Sequence, residues 1–470
     1  MSANTTHYKL YKSVIKSLQA IACLFVCVLY STTSHADLLS ATLDYHKGNY
    51  NEAQQQFYEL AQLGNVDAIY NIGVMYLHGQ GREKNRAKAY AWFNLAADFG
   101  LVEARDTARL IAEQSEQQQQ ALEDAYAALL THISFEKYDK ELRPELTASP
   151  VHTLNINRSY TVEPLYPEHA YNNGLEGWVW LEFDIDKNGA VGDITLVDSY
   201  PEKTFDKALI NAVKRWQYKA DDNALPHYNR SLLYHFTTFK GEQYQHSFQR
   251  QKKSYQNEIS ELIDAAEQGN AVVQYYIANW LSSDKYNASK LLKYHWQKNT
   301  ASSELLLTSA RNGYANSQYR IGANLLRGDY GQVDRQKGLN WILLAAQNGF
   351  ANAQYRLGRE LLNQRYVDYA PNKAQKWLTA AAKQGHFRAK RDLAQLLFEL
   401  NQPTTAIQTA LNDALNHDNN HPQLLLLQAK LQQQQKQLQL AKESAQAAFK
   451  EAQDRNWNTQ SISAFLTTLN

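Results

Sequence analysis

Apolar residues recur every three or four positions through most of the 470-residue chain, which predicts one helix after another. Between residues 155 and 240 the period changes. Val179, Leu181, Phe183 and Ile185 alternate with Trp178, Trp180, Glu182 and Asp184, which predicts a half-buried strand. Asn188-Gly189 follows, a hairpin signal because both central residues of a tight turn favour positive φ. Ile194 and Leu196 continue the buried face on a return strand. Phe205, Leu209, Ala212, Val213 and Trp216 then share one helical stripe, and Ser231–Phe239 reads as a last strand. The order is ββαβ. Pro144 and Pro150 mark a polar linker over 141–154.

The helical regions carry a second, longer period. Starting from Gly64, Gly313 and Gly349, a tyrosine stands at the same offset (Tyr70, Tyr319, Tyr355), and then a glycine (Gly73, Gly322, Gly358). Further on come a tryptophan (Trp92, Trp341, Trp377), an alanine pair (Ala96–Ala97, Ala345–Ala346, Ala381–Ala382) and a closing glycine (Gly100, Gly349, Gly385). Such agreement marks a repeat. The closing glycines suit left-handed helix caps, the inner glycine and alanines let two helices approach closely, and the Tyr and Trp fill space between units. Each unit is a helix–turn–helix pair that buries its apolar face only by stacking, so the expected architecture is an α-solenoid. Some units depart from the pattern: the one starting at Gly269 has Ala278 where the inner glycine belongs and its next marker, Gly313, lies 44 residues on, and the units after Gly100 and Gly385 lose the Tyr and the inner glycine. Beyond residue 400, Ile407, Leu411 and Leu415 form one stripe and the Leu424–Leu427 run opens another helix, giving a looser helical tail over 401–470. The fold class is therefore mainly α, a solenoid with an inserted small α+β domain.

"NGYANSQYRIGANLLRGDYGQVDRQKGLNWILLAAQNG" resembles the Sel-one-like repeat, a relative of the tetratricopeptide repeat. The resemblance covers about 45–112 and 255–400, in arrays assigned to 37–140 and 255–400, and implies a protein-binding scaffold with concave Tyr- and Trp-bearing surfaces. In the β region, Tyr166-Pro167, Ala170, Gly177, Asn188-Gly189, "NAVKRWQY" ending at Tyr218, and Ser231–Phe239 stand in the order of the TonB C-terminal domain. Residues 155–240 resemble that family. The resemblance implies capture of an extended peptide, the TonB box of an outer-membrane receptor, by strand addition to the last strand. On this basis the binding residues are Ser231, Leu232, Leu233, Tyr234, His235 and Phe236, with Tyr166 and Pro167 nearby. Tyr166 and Pro167 have an alternative role as anchors of the chain entry.

Charge and composition narrow the function. The net charge is +1 and aromatic residues make up 11%, a folded composition without a nucleic-acid footprint. Lys9, Lys12 and Lys16 precede an apolar run from Ala20 to Tyr30, followed by small Ser34 and Ala36, which predicts a signal peptide cut after Ala36. The run spans only about 17 Å as helix against about 30 Å of hydrocarbon. An inner-membrane anchor is the alternative. Cleavage would remove three lysines, taking the charge to −2, and would remove both cysteines, Cys23 and Cys27. The mature chain then has no disulfide, thiolate nucleophile or Cys metal site and keeps no stable membrane span.

No HExxH, GxSxG or phosphate-binding loop occurs, so no catalytic residue and no cofactor is assigned. "DIDKNG" opens like a calcium loop, but Thr195 stands where the closing Glu belongs. His417 and His421 have helical metal-pair spacing, yet Pro422 biases His421 toward extended backbone, so no metal is assigned either. The expected function is a non-enzymatic periplasmic adaptor binding proteins or extended peptides, with an outer-membrane receptor as the candidate partner. A TonB-type energy transducer is the alternative; against it stand the cleavable leader and a total of 9 prolines, too few for a long Pro-rich arm. A repeat-bearing cell-wall-modifying factor is the second alternative.

Overall fold

The computed structural model describes residues 36–148, 157–173, 175–219, 227–237, 260–329, 332–455 and 457–469. The predicted leader, apart from Ala36, and residues 238–239 of the predicted last strand lie outside them. The chain divides into two compact units, one containing residues 152–345 and the other residues 35–151 together with 346–470.

The first unit holds the sheet. β1 (Arg158–Tyr160) pairs with β4 (Gln217–Tyr218), and β2 (Gly177–Ile185), β3 (Val191–Tyr200) and β5 (His227–Phe236) form an antiparallel sheet in the order β3-β2-β5. β5 begins four residues before the strand expected from the sequence. The β2–β3 turn uses one left-handed residue rather than two. Gly189 has φ 84° and its N–H donates to Asp186 O at 3.0 Å, while Asp186 Oδ1 accepts from the N–H groups of Asn188 and Ala190 at 2.9 Å. A Cβ on Gly189 would run into the Tyr218 carbonyl, so both backbone and space require glycine there.

Helices α1 (Glu168–Asn172) and α2 (Asp206–Val213) belong to the same segment. Val179, Leu181, Phe183 and Ile185 point toward α2, where they meet Phe205, Leu209, Val213 and Trp216. The other face of β2 is also covered. Helices α3 (Ala271–Leu281), α4 (Asn287–Leu292), α5 (Ala301–Arg311) and α6 (Ala315–Arg327) follow, and Trp178 and Tyr200 join their apolar core. All nine residues of β2 are buried, which corrects the half-buried reading. Trp178 and Trp180 are 0% and 2% exposed, and by area each contributes roughly 4–6 kcal/mol of hydrophobic stabilisation. Alternation with two tryptophans on the supposedly wet face was the trace of a second covering layer.

The second unit is a helical stack. Its first part runs through helices Leu38–Lys47, Tyr50–Gln62, Val66–His78, Arg86–Asp98 and Val102–Glu113. Its second part includes helices Ala351–Asn363, Pro371–Lys383, Phe387–Glu399, Thr404–Leu415, Pro422–Gln434 and Leu438–Asp454. The two parts are joined by polar contacts. Asn65 Nδ2 donates to Asn348 Oδ1 at 2.7 Å and to Gln347 O at 3.1 Å, and Leu38 N donates to Asn348 O at 3.0 Å. Leu146 bridges to Val367, and Trp377 Nε1 donates to Leu142 O at 2.9 Å. Residues 143–147, within the stretch read as a linker, thus lie along the second part of this unit.

Across both units the markers behave as the repeat predicts. Gly64, Gly100, Gly313, Gly349 and Gly385 all have φ between 82° and 96°. At Gly322 a Cβ would approach the Gly338 carbonyl to 2.7 Å, so the paired helices touch backbone to backbone. Tyr319, Tyr355, Trp92 and Trp377 are all buried. These marker positions are packing residues, as the space-filling reading of the repeat expects.

Candidate functional site

β5 forms one edge of the three-stranded sheet, and among the described residues no strand pairs with its outer side. Its pairing with β2 is regular from Phe236↔Gly177 to Arg230↔Phe183; nearer its start the register shifts before His227↔Ile185, and Asn229 has φ 56°. The opposite edge, β3, is irregular: its register shifts between Trp180 and Leu181 and again between Glu182 and Asp184, and Asp193 has φ 49°. Bulges of this kind blunt an edge against further pairing, whereas a regular strand offers a row of N–H and C=O groups.

The predicted binding residues gather at this edge, but their side chains point to the two faces. Toward the repeat helices, Ser231 Oγ accepts from Trp180 Nε1 at 2.7 Å, Leu233 packs on the apolar core, and His235 Nδ1 lies 2.7 Å from Tyr286 Oη. Toward α2, Leu232 and Tyr234 pack on the other core, Phe236 stacks on Phe205 at 4.4 Å, and Tyr234 Oη donates to Glu163 at 3.1 Å. Burial, with the Glu163 hydrogen bond second, pushes the Tyr234 phenol up to about 12. Tyr166 meets Phe205 and Phe236 edge to face at 5.4 and 5.7 Å and donates its hydroxyl hydrogen to Leu175 O. Pro167 caps α1, its carbonyl accepting from Tyr171 N at 2.9 Å. Residues 231–235 are half-buried and Phe236 is buried, so these side chains are largely committed to the two faces.

Residues outside this set hold the sheet against the repeats. Tyr319 Oη donates to Glu182 at 2.5 Å, Tyr275 Oη to Asp198 at 2.8 Å and Tyr286 Oη to Gly177 O at 2.8 Å. Asn287 N donates to Glu176 at 2.9 Å. Asp198 also accepts from Trp178 Nε1 at 3.0 Å. Burial raises the Asp198 carboxyl above its ordinary value despite these donors. Burial, and then the charge of Arg320, pulls His235 down to about 4. One signal for these contacts was in the sequence. The unusually long Gly269–Gly313 unit holds α4, whose N-cap is Tyr286. Among the described residues no group of three or more His, Cys, Asp and Glu is placed to hold a metal ion.

Residues 162–234 match the family model "Gram-negative bacterial TonB protein C-terminal", and residues 66–100, 315–350 and 351–386 match the Sel1 repeat. TonB of Yersinia enterocolitica is 33% identical over 58 residues, covering 12% of this chain and 23% of that protein. The chain spans between 16% and 30% of the length of the TonB proteins it matches. Among solved structures, the TonB2 protein of Vibrio anguillarum is 30% identical, covers 21% of this chain and 99% of that one, and has a TM-score of 0.16. A Sel1 repeat protein from Oxalobacter formigenes is 26% identical, covers 29% and 96%, and has a TM-score of 0.26. The chain thus embeds a TonB C-terminal-type domain among Sel1-type repeats.

Proposed function

We propose that the chain is an exported periplasmic adaptor that captures an extended peptide by strand addition to β5 while its repeats hold further protein partners. The observation that carries this reading is the regular register of β5 from Arg230 to Phe236, on a sheet whose central strand is buried on both faces. Both faces of β2 are taken, so a partner gains most by continuing the hydrogen-bond ladder. An outer-membrane receptor, the kind of partner implied by the TonB resemblance, is the candidate source of that peptide. A scaffold carrying two binding modules on one chain would raise the local concentration of each partner for the other.

Two adjacent proline substitutions, Leu233→Pro and Tyr234→Pro, test the reading. Along an antiparallel strand successive N–H groups face opposite sides, so one of the pair removes an outward donor and the other a ladder donor. Affinity purification from cells, followed by mass spectrometry, should recover an outer-membrane receptor with the wild type and lose it with the outward variant. Recovery of the same partners by both variants would sink strand addition. Sequencing the mature N-terminus separates this reading from a motor-coupled transducer, because a chain starting at Asp37 has lost the apolar segment a membrane anchor would need. Among the described residues no helix is long and apolar enough to cross a membrane.

A further inference from the structure

Tyr286 joins three elements through one oxygen. Its hydroxyl hydrogen goes to the Gly177 carbonyl at the start of β2, at 2.8 Å. A phenol has a single proton, so the 2.7 Å contact with His235 Nδ1 must be donated by the imidazole, which fixes the Nδ1–H tautomer. The relay runs His235 N–H to Tyr286 O–H to Gly177 C=O. It links the C-terminal end of β5, the first residue of β2 and the cap of α4. Gly177 and Phe236 are register partners, so the relay sits at one end of the β2–β5 pairing. Next to it, Glu176 accepts from both Asn287 N and Asn287 Nδ2, at 2.9 and 3.3 Å. The Tyr286 ring is fully buried.

We propose that Tyr286 is a positioning residue for peptide capture, and that the Gly269–Gly313 repeat unit is a working part of the β5 site. This deepens the strand-addition reading and rests on it. An edge strand binds a peptide only while its outward N–H and C=O groups stay in line. Among the described residues β5 has a neighbour strand on one side, so its order depends on what pins its face. Ser231 and Leu233 are held by β2 and the repeat core, and at the C-terminal end His235 on Tyr286 pins the repeat side while Phe236 on Phe205 pins the other. The charged groups facing this junction are Arg320 on α6 and Glu176 before β2. The imidazole is kept neutral in the docked state, so docking is complete above about pH 6.5 and weakens as pH falls toward about 4.

The test uses full-length Tyr286→Phe and a fluorescein-labelled synthetic peptide carrying the TonB-box segment of an outer-membrane receptor. Fluorescence polarisation should show affinity reduced about tenfold, since the relay loses two hydrogen bonds but keeps its ring. Amide exchange of Ser231–Phe236 should rise about tenfold, with α2 amides unchanged. Wild-type binding should fall as pH drops from 6.5 to 4, and in the variant that fall should begin nearer pH 6.5. Asn287→Asp, which sets a second carboxylate against Glu176, loosens the junction from outside the relay and should shift all three readouts the same way. It serves if Tyr286→Phe does not fold. Variants with wild-type affinity, exchange and pH profile would overturn the proposal alone. No peptide binding by the wild type would overturn the strand-addition reading and the proposal with it.

Discussion

Tyr275 donates its hydroxyl hydrogen to the Asp198 carboxylate at 2.8 Å, and Trp178 Nε1 donates to the same oxygen at 3.0 Å. One carboxylate oxygen thus ties β3 to a helix 77 residues further on. The raised carboxyl pKa fixes the sign of the pH effect. The folded chain holds this proton to a higher pH than the unfolded chain does. This group's contribution is therefore present below the ordinary value of 3.8 and is lost as pH rises through the folded value. Asp198→Asn keeps an oxygen that can accept both bonds and removes the charge. It should cost less than about 1 kcal/mol at neutral pH and abolish this contribution to the pH dependence. Asp198→Leu strands two buried donors and should cost about 2–5 kcal/mol. Amide exchange in β3 and α3 across pH 4–8 distinguishes the two. Equal losses would show that the acceptor is irrelevant.

Gly189 makes a second prediction. Gly189→Ala forces a left-handed alanine and drives its methyl group into the Tyr218 carbonyl. The backbone penalty is about 1–2 kcal/mol and overpacking adds about 1–3. Faster exchange confined to β2, β3 and β4 is the expected outcome. An unperturbed hairpin in the alanine variant would contradict the geometry.

Legibility followed distance along the chain. The repeat was visible because its markers sit at fixed offsets within each unit, and the positive φ of Gly64, Gly313 and Gly349 is a local requirement of helix ends. The ββαβ order was visible because β2, α2 and β5 each bury a face with a clear period. The turn at Asn188-Gly189 was located but mistyped, since a type I turn closed by one left-handed glycine carries the same dipeptide. β1 and β4, three and two residues long, are too short to show a period. The second covering of β2 was hidden for a different reason. Its partners Tyr275, Tyr286 and Tyr319 lie 77 to 137 residues from the groups they contact, and alternation reports only which face is buried first. The edge at β5 was placed by resemblance, while the regular register of its part from Arg230 to Phe236 appeared only once the strands were paired.

Trp377 provides a test in the second unit. Its buried indole donates to the Leu142 carbonyl, anchoring the segment that continues to the Leu146–Val367 bridge. Trp377→Phe keeps most of the apolar volume but leaves that carbonyl without its donor, at a cost of about 1–3 kcal/mol. Limited proteolysis should then cut near 143–148 at least several-fold faster, with the helices beyond 404 unaffected. An unchanged cleavage rate would mean that the segment is held by its other contacts, such as Lys373 Nζ to Arg143 O at 2.7 Å.

His386 predicts an acid response in the same unit. It caps helix Phe387–Glu399, its Nδ1 accepting from Ala389 N at 3.1 Å, so Nε2 must carry the hydrogen shared with Asn352 Oδ1 at 3.1 Å. The ring stacks on Tyr355 at 4.4 Å, with Arg388, Arg391 and Asp392 around it. Burial, reinforced by Arg388, pulls its pKa down to about 3. Protonation would turn the accepting nitrogen into a donor aimed at another N–H, so the cap and the neutral ring are lost together. Since the unfolded state takes up the proton first, this stabilisation is complete above about pH 6.5 and is lost as pH falls toward 3. The slope approaches about 1.4 kcal/mol per pH unit below 6.5. His386→Asn keeps a capping oxygen without a titrating group. It should lose roughly 1 kcal/mol of ring stacking at pH 7 and flatten the slope between pH 6 and 4. Amide exchange of residues 389–392 over that range is the measurement. A variant as acid-sensitive as the wild type would place the response on another group, Asp392 being the nearest, whose carboxyl is held below its ordinary value by Arg391 and Arg359 against the pull of burial.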